Sequence, residues 1–286
     1  MTQDPWITTF LNGDPRICMD VAGEGNLLVF LHGIGGNKIN WHLQLPEFSK
    51  HFRSVAWDAR GYGESDDYEG DLEFSDFSRD LLRVLDHFEV KKAHLCGLSM
   101  GGRIAQDFCA LFPDRVSTMV LCDTFAGDDE TDTRASRSQS IEEFVESRIR
   151  PFLNGADPAE HAKKRGGLLL APGHSEEARR RSIEASSQIH VESYIKTVRA
   201  SATFSRVDNM KNINVPTLLL FGDQDPLTPP RVGEYMRENI PHSELVIIEN
   251  AGHMTNLEQP EAFNTCLLYT SPSPRDATLS RMPSSA

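Results

Sequence analysis

Short, nearly unbroken apolar runs recur along the chain and alternate with longer stretches whose apolar residues return every three or four positions. The runs "RICMDV" (16–21), "LLVFLHG" (27–33), "SVAWD" (54–58), "KAHLCG" (92–97), "TMVLCD" (118–123), "TLLLFG" (217–222) and "ELVIIE" (244–249) read as strands. Most are continuously apolar rather than alternating, which suits a parallel sheet covered on both faces. Between them, "SDFSRDLLRVLDHF" (75–88) sets Phe77, Leu81, Leu85 and Phe88 along one helical face, with Ser75 placed as its N-cap. "MGGRIAQDFCALF" (100–112) reads as a second helix, stopped by Pro113. Strand then helix, repeated, predicts a doubly wound, mostly parallel α/β sheet.

One segment departs from the alternation. Residues 125–206 contain no convincing strand but several helical stretches, one opened by the capping-box pattern "SIEE" at Ser140 to Glu143. Pro151, Pro158 and Pro172 punctuate the segment, and "KKRGG" (163–167) interrupts it again. Such a helical insertion between two core strands reads as a cap, or lid. The expected organisation is therefore a core of residues 1–124 and 207–265 with a cap at 125–206. The stretch 266–286 turns abruptly to Ser and Pro and resembles a translated sequencing adapter, as in a gene taken from a sequencing (metagenomic) assembly. It is expected to be a non-native tail, with residues beyond about 271 non-helical and loosely held.

Composition narrows the function classes. With 286 residues, 39% of them hydrophobic, the chain can bury one sizeable core, so one domain with an insertion fits better than two equal domains. The formal net charge of −13 would repel a phosphate backbone, which argues against nucleic acid as a partner. The start "MTQDPWITTF" does not read as a secretory signal, and apolar runs such as "LLVFL" are far too short to span a membrane. The five cysteines form no C-x-x-C; four of them sit in apolar runs and read as small buried hydrophobes in a reducing, cytoplasmic compartment.

The candidate chemistry centres on "HLCGLSMGGR" (94–103). A nucleophilic serine needs its hydroxyl exposed at the end of the sheet, and a sharp strand-to-helix turn provides this. Such a turn crowds neighbouring backbone, and residues without a Cβ, here Gly97 and Gly101, relieve the crowding. Ser99 then stands at a helix N-terminus, in a G-x-S-x-G nucleophile elbow. The hydroxyl needs a base, and the base needs an orienting carboxylate. Among ten histidines, His253 in "NAGHMTNLEQP" is best placed, in a short loop directly after a strand; His32 is its rival. For the acid, Asp223 and Asp225 in "LLLFGDQDPLTPP" and Asp123 at the end of "MVLCD" are candidates. The glycine-rich "FLHGIGGN" (30–37) is suited to present the Ile34 N–H to an oxyanion, with the Met100 N–H as second donor. No G-x-G-x-x-G or G-x-x-x-x-G-K-[ST] accompanies that loop, which argues against a nucleotide site.

Together, "HGIGG", "DARGYGESD" (58–66), "GLSMGG", "FPDRV" (112–116), "GDQDPLTP" and "AGH" resemble the α/β-hydrolase superfamily in order and spacing, over about residues 5–265. The resemblance implies a Ser99–His253–Asp225 triad, with Asp225 preferred to Asp223, and oxyanion donors at Ile34 and Met100. The texture is closest to the enol-lactonase and carboxylesterase branch, implying hydrolysis of a small-molecule ester or lactone without cofactor or metal. Epoxide hydrolases and haloalkane dehalogenases place an Asp at the elbow; here it is Ser99, and Tyr194 is the only tyrosine of the cap. Carbon–carbon bond hydrolases, which often have Asn where this chain has Leu98, cofactor-free perhydrolases and a non-enzymatic small-ligand receptor are the alternatives. Residues 124–206 balance thirteen basic against thirteen acidic side chains, so Arg148, Arg150 or Arg199 could hold a substrate carboxylate. Trp41, His42 and Phe125 are candidates to line the pocket.

Overall fold

The computed structural model describes residues 4–127 and 140–270. Eight strands make one sheet: β1 (Ile7–Leu11), β2 (Ile17–Ala22), β3 (Leu27–Leu31), β4 (Arg53–Trp57), β5 (Ala93–Leu98), β6 (Val116–Cys122), β7 (Thr217–Gly222) and β8 (Ser243–Ile248). The helices are α1 (Leu45–Phe48), α2 (Ser75–His87), α3 (Met100–Leu111), α4 (Ile141–Leu153), α5 (Pro158–Arg165), α6 (Glu176–Ser186), α7 (Val191–Ala202), α8 (Pro230–Asn239), α9 (Thr255–Glu258) and α10 (Pro260–Thr270). Strand order is β1-β2-β4-β3-β5-β6-β7-β8. The β1–β2 and β2–β4 pairs are antiparallel, and every pair from β4 to β8 is parallel.

The pleat explains why the strand sequences are apolar throughout. Alternate residues of β3 face opposite ways: Leu27, Val29 and Leu31 join the core against α2, α3 and α8, while Leu28 and Phe30 join the core against α1 and α10. All five are fully buried, each side chain contributing roughly 1.5–3 kcal/mol. On α2, Phe77, Leu81 and Leu85 form the buried stripe that their spacing predicts. The insertion between β6 and β7 carries α4 to α7, and among its described residues there is no strand. No described helix is long and apolar enough to cross a membrane.

Three local expectations are corrected. β1 was not anticipated, because its edge sequence "ITTFL" is largely exposed and has no apolar run to announce it. Ser75 is not the N-cap of α2 but its first residue; its hydroxyl donates to Asp107 Oδ1 (3.2 Å) instead. Pro151 lies inside α4 rather than ending it. It occupies the last turn, where one lost N–H costs least, and the Asn154 N–H still reaches the Arg150 carbonyl (3.0 Å). The cysteines are free thiols, four buried and Cys266 half-buried. Finally, α10 runs to Thr270 with Leu267 buried against the core, whereas the expectation for residues beyond 271 lies outside the described residues.

The turn from β5 to α3 is packed without slack. A Cβ at Gly97 would lie 2.3 Å from backbone atoms of Gly101, and one at Gly101 would lie 2.1 Å from the Leu31 carbonyl oxygen. Gly101→Ala is expected to cost about 3 kcal/mol or more, seen as a fall in Tm. An unchanged Tm would show that the turn accommodates a methyl group.

Candidate active site

Between β5 and α3 a single residue, Ser99, turns the chain with φ 53° and ψ −114°. Such an angle costs about 1–3 kcal/mol for a residue with a side chain, so neighbouring bonds must hold it. The Ser99 N–H donates to the Cys122 carbonyl (2.9 Å), and its own carbonyl accepts from the Gly102 N–H (3.0 Å) and the Thr124 hydroxyl (2.6 Å). The side chain lines a cavity of about 80 Å³ whose walls include Ile34, Met100, Phe125, Tyr194, Leu227 and His253. Gly33 brings the loop after β3 so near that a Cβ there would lie 3.3 Å from Ser99 Cβ. Among the described residues, no partner engages the N–H of Ile34 or Met100. Both belong to residues of the cavity wall, and the second stands at the positive end of α3.

Behind His253 stands Asp225, in the turn that follows β7. Nδ1 of His253 donates to Asp225 Oδ2 at 2.8 Å, leaving Nε2 as the acceptor nitrogen of the ring. Asp225 is saturated: Oδ1 accepts from the Leu227 and Thr228 N–H groups (2.6 and 3.0 Å), and Oδ2 also accepts from the Thr228 hydroxyl (2.6 Å). Burial by itself would raise the carboxyl pKa, but the His253 charge and these hydrogen bonds outweigh it and hold Asp225 below the usual range. For His253 the balance is the mirror image. Burial disfavours the imidazolium, yet the Asp225 charge and hydrogen bond raise its pKa above 6.5.

The remaining candidates have other tasks. Asp223 Oδ1 accepts from the Ala251 N–H (3.1 Å) and does not reach an imidazole. Asp123 is buried behind the pair, accepting from the Gly222 N–H (3.0 Å) and the Thr255 hydroxyl (2.7 Å). Burial, and then the Asp225 charge, push its carboxyl up to about 7. His32 is buried between the Gly33 carbonyl and the Ala59 N–H, which use both ring nitrogens. Of the pocket candidates, Phe125 lines the cavity; Trp41 is buried in the core against α10, and His42 bonds to Asp20 (2.8 Å). Of the three arginines, only Arg148 lines the cavity; Arg150 is exposed and paired with Glu146 (2.8 Å), and Arg199 is exposed on α7.

Sequence reasoning missed Glu258, at the end of α9. One of its carboxylate oxygens accepts from the Gly252 and Met254 N–H groups (3.0 and 3.2 Å), on either side of His253, and the other from the Ala171 N–H (2.7 Å). The His253 N–H in turn donates to the Leu169 carbonyl (2.7 Å). The imidazole-bearing loop is thus clamped to the helical insertion. No local pattern announces this, because the partners come from three separate segments.

Among the described residues, one cluster has metal-ligand composition: Cys18, Asp58 and Glu64. The Lys38 ammonium already fills the cation position there, bonded to Asp58 Oδ2 (3.0 Å) and Glu64 and 3.5 Å from Cys18 Sγ. The cluster is an internal ion pair fixing the "DARGYGESD" loop.

Residues 26–260 match the model of a protein family described as the alpha/beta hydrolase fold. Over 240 residues the chain is 30% identical to a 3-oxoadipate enol-lactonase of Acinetobacter baylyi, covering 83% of this chain and 85% of that protein. An esterase from Exiguobacterium antarcticum superposes with a TM-score of 0.82 at 25% identity, covering 91% of this chain and 98% of its own. A thermophilic esterase from Thermogutta terrifontis, solved with malate bound, gives a TM-score of 0.77 at 26% identity over 92% of this chain and 96% of that one.

The clamp makes a measurable claim. Glu258→Ala strands three N–H groups and is expected to lower stability by about 2–3 kcal/mol and to speed amide hydrogen exchange at Gly252 and Met254. Unaltered exchange at those two amides would show that the loop holds its place without the carboxylate.

Proposed function

The chain belongs to the alpha/beta hydrolase fold family, and from that premise we propose that it is a serine hydrolase of small carboxylic esters or lactones. The observation that carries this reading is the His253–Asp225 hydrogen bond standing behind a cavity that Ser99 lines from a strained elbow. His253 Nε2 takes the Ser99 proton as Oγ attacks the carbonyl carbon, and Asp225 stabilises the imidazolium that forms. The Ile34 and Met100 N–H groups receive the oxyanion. His253 then returns the proton to the leaving alkoxide, and water, deprotonated by the same imidazole, releases the acid from the acyl-enzyme. The helices α4 to α7 act as a cap whose Tyr194 and Val198 shape the acyl cavity. The enol-lactonase and esterase relatives support ester and lactone substrates.

Hydrolysis of p-nitrophenyl esters from acetate to decanoate by wild type and Ser99→Ala tests the reading. The cavity of about 80 Å³ predicts faster turnover of acetate and butyrate than of decanoate, and the variant is expected to lose at least ~10³-fold in kcat. No turnover of any ester or simple lactone by wild type would overturn the assignment.

The pH profile is a second check. A base must be neutral, and the His253 pKa is raised above 6.5, so kcat/KM is expected to fall as pH drops through a midpoint above 6.5. Asp225→Asn removes the raising charge: the midpoint should move down, with kcat lower by roughly 10⁴-fold. A wild-type midpoint below 6.5 would contradict the pairing.

A further inference from the structure

Past the cavity that holds Ser99 lies another, of about 90 Å³, walled by α4, α5, α6 and the loop after β3. Ile34, Arg148 and Tyr194 line both, so these three residues form the boundary the two spaces share. On the far side stand His161 and Arg165 of α5, with Ser182 and Ser186 of α6. Among the described residues, neither cavity wall contains a carboxylate, in a chain whose net charge is −13.

Several cations on these helices are paired with carboxylates, while among the described residues Lys164 and Arg179, which line neither cavity, are not. On the outer surface Arg150 is paired with Glu146, Lys163 with Glu160, and Arg180 with Glu177 and Glu184. Arg148 and Arg165 have no carboxylate at ion-pair distance among the described residues; the Arg148 guanidinium rests only on the Phe144 ring, 5.2 Å from its centre. Half-buried His161 packs on Phe152 (4.8 Å between rings), and burial together with the Arg165, Lys164 and Arg148 charges keeps its imidazole neutral more strongly than usual. The Arg148 charge is also felt at His253, which puts the guanidinium within electrostatic reach of the reacting atoms.

A half-buried guanidinium without a counter-ion is a costly arrangement unless a ligand supplies the charge. We propose that this second cavity is an anion subsite. Its occupant is the carboxylate at the far end of the substrate, held by Arg148 in the two-pronged geometry that a guanidinium offers, with half-buried His161 and exposed Arg165 at the far rim. Which end of the ester carries that carboxylate rests on the serine-hydrolase reading; the affinity for the anion does not.

Two arms separate these questions. In the first, calorimetry on Ser99→Ala measures binding of dicarboxylates from succinate to adipate against monocarboxylates of equal length. The subsite predicts that one dicarboxylate binds at least ~10-fold tighter than its monocarboxylate, that Arg148→Gln removes the difference, and that Arg148→Lys keeps part of it. Equal binding of the two, or a preference that Arg148→Gln leaves intact, overturns the subsite. In the second arm, kcat/KM is compared for p-nitrophenyl hemiesters and their methyl-capped diesters, and for acetate esters of hydroxy acids and of the matching alcohols. A charged-to-neutral ratio above ~10 in the first series places the carboxylate on the acyl side, and in the second series on the alcohol side; either ratio should collapse in Arg148→Gln. Ratios near one in both series, with esters turned over, overturn the subsite while leaving the hydrolase reading standing. Tight dicarboxylate binding with no ester cleaved does the reverse.

Discussion

The start of α3 lies so close to β3 that a Cβ at Gly101 would come within 2.1 Å of the Leu31 carbonyl oxygen. This approach ties together elements that are far apart in the chain. It holds the turn after β5 against the loop after β3, and with it Ser99 beside Gly33 and Ile34. The same turn is pinned from its other side, where the Ser99 N–H reaches the Cys122 carbonyl of β6 and the Thr124 hydroxyl reaches the Ser99 carbonyl. Three strands thus determine the direction of one hydroxyl. The strain at Ser99 persists because the packing around it admits no relaxed alternative.

Electrostatics in the site follows from burial acting on paired groups. Asp225 stays ionised because three donors and an imidazole face it, whereas Asp123, buried just behind with fewer donors and a like charge nearby, is driven toward the neutral form. Two carboxylates at the ends of neighbouring strands β6 and β7 therefore differ in charge for reasons visible in their hydrogen bonds. Asp123 shows how a carboxylate close to a triad-like pair can serve as scaffold, joining β7 to α9 through Gly222 and Thr255.

Much of this architecture was legible from the sequence. The central strands could be read because both faces are covered, which demands unbroken apolar runs such as "LLVFL"; the glycine positions could be read because only a missing Cβ fits the elbow. Edge and tertiary features could not. β1 is half in solvent, so nothing in "ITTFL" insists on a strand. Ser75 satisfies the local rule for a cap, but Asp107, thirty-two residues on, offers its hydroxyl a partner instead. Pro151 reads as a break, yet in the final turn of α4 it removes a single hydrogen bond. The motifs located Ser99, Asp225 and His253 by chain position, whereas Glu258 and the cavity-facing side of Arg148 emerge only when separate helices are brought together.

Glu258 and Leu169 have a mechanical consequence. The Leu169 carbonyl accepts from the His253 N–H, the Glu258 carboxylate links the Ala171 N–H to the backbone on both sides of His253, and a Cβ at Gly252 would lie 2.6 Å from the Leu169 carbonyl oxygen. These bonds tie this edge of the insertion to the loop that carries the imidazole. A displacement of the insertion about that edge would carry the His253 ring away from Asp225. Any motion of the insertion that keeps the His253–Asp225 bond must therefore pivot elsewhere, with residues 169–171 as its stationary side.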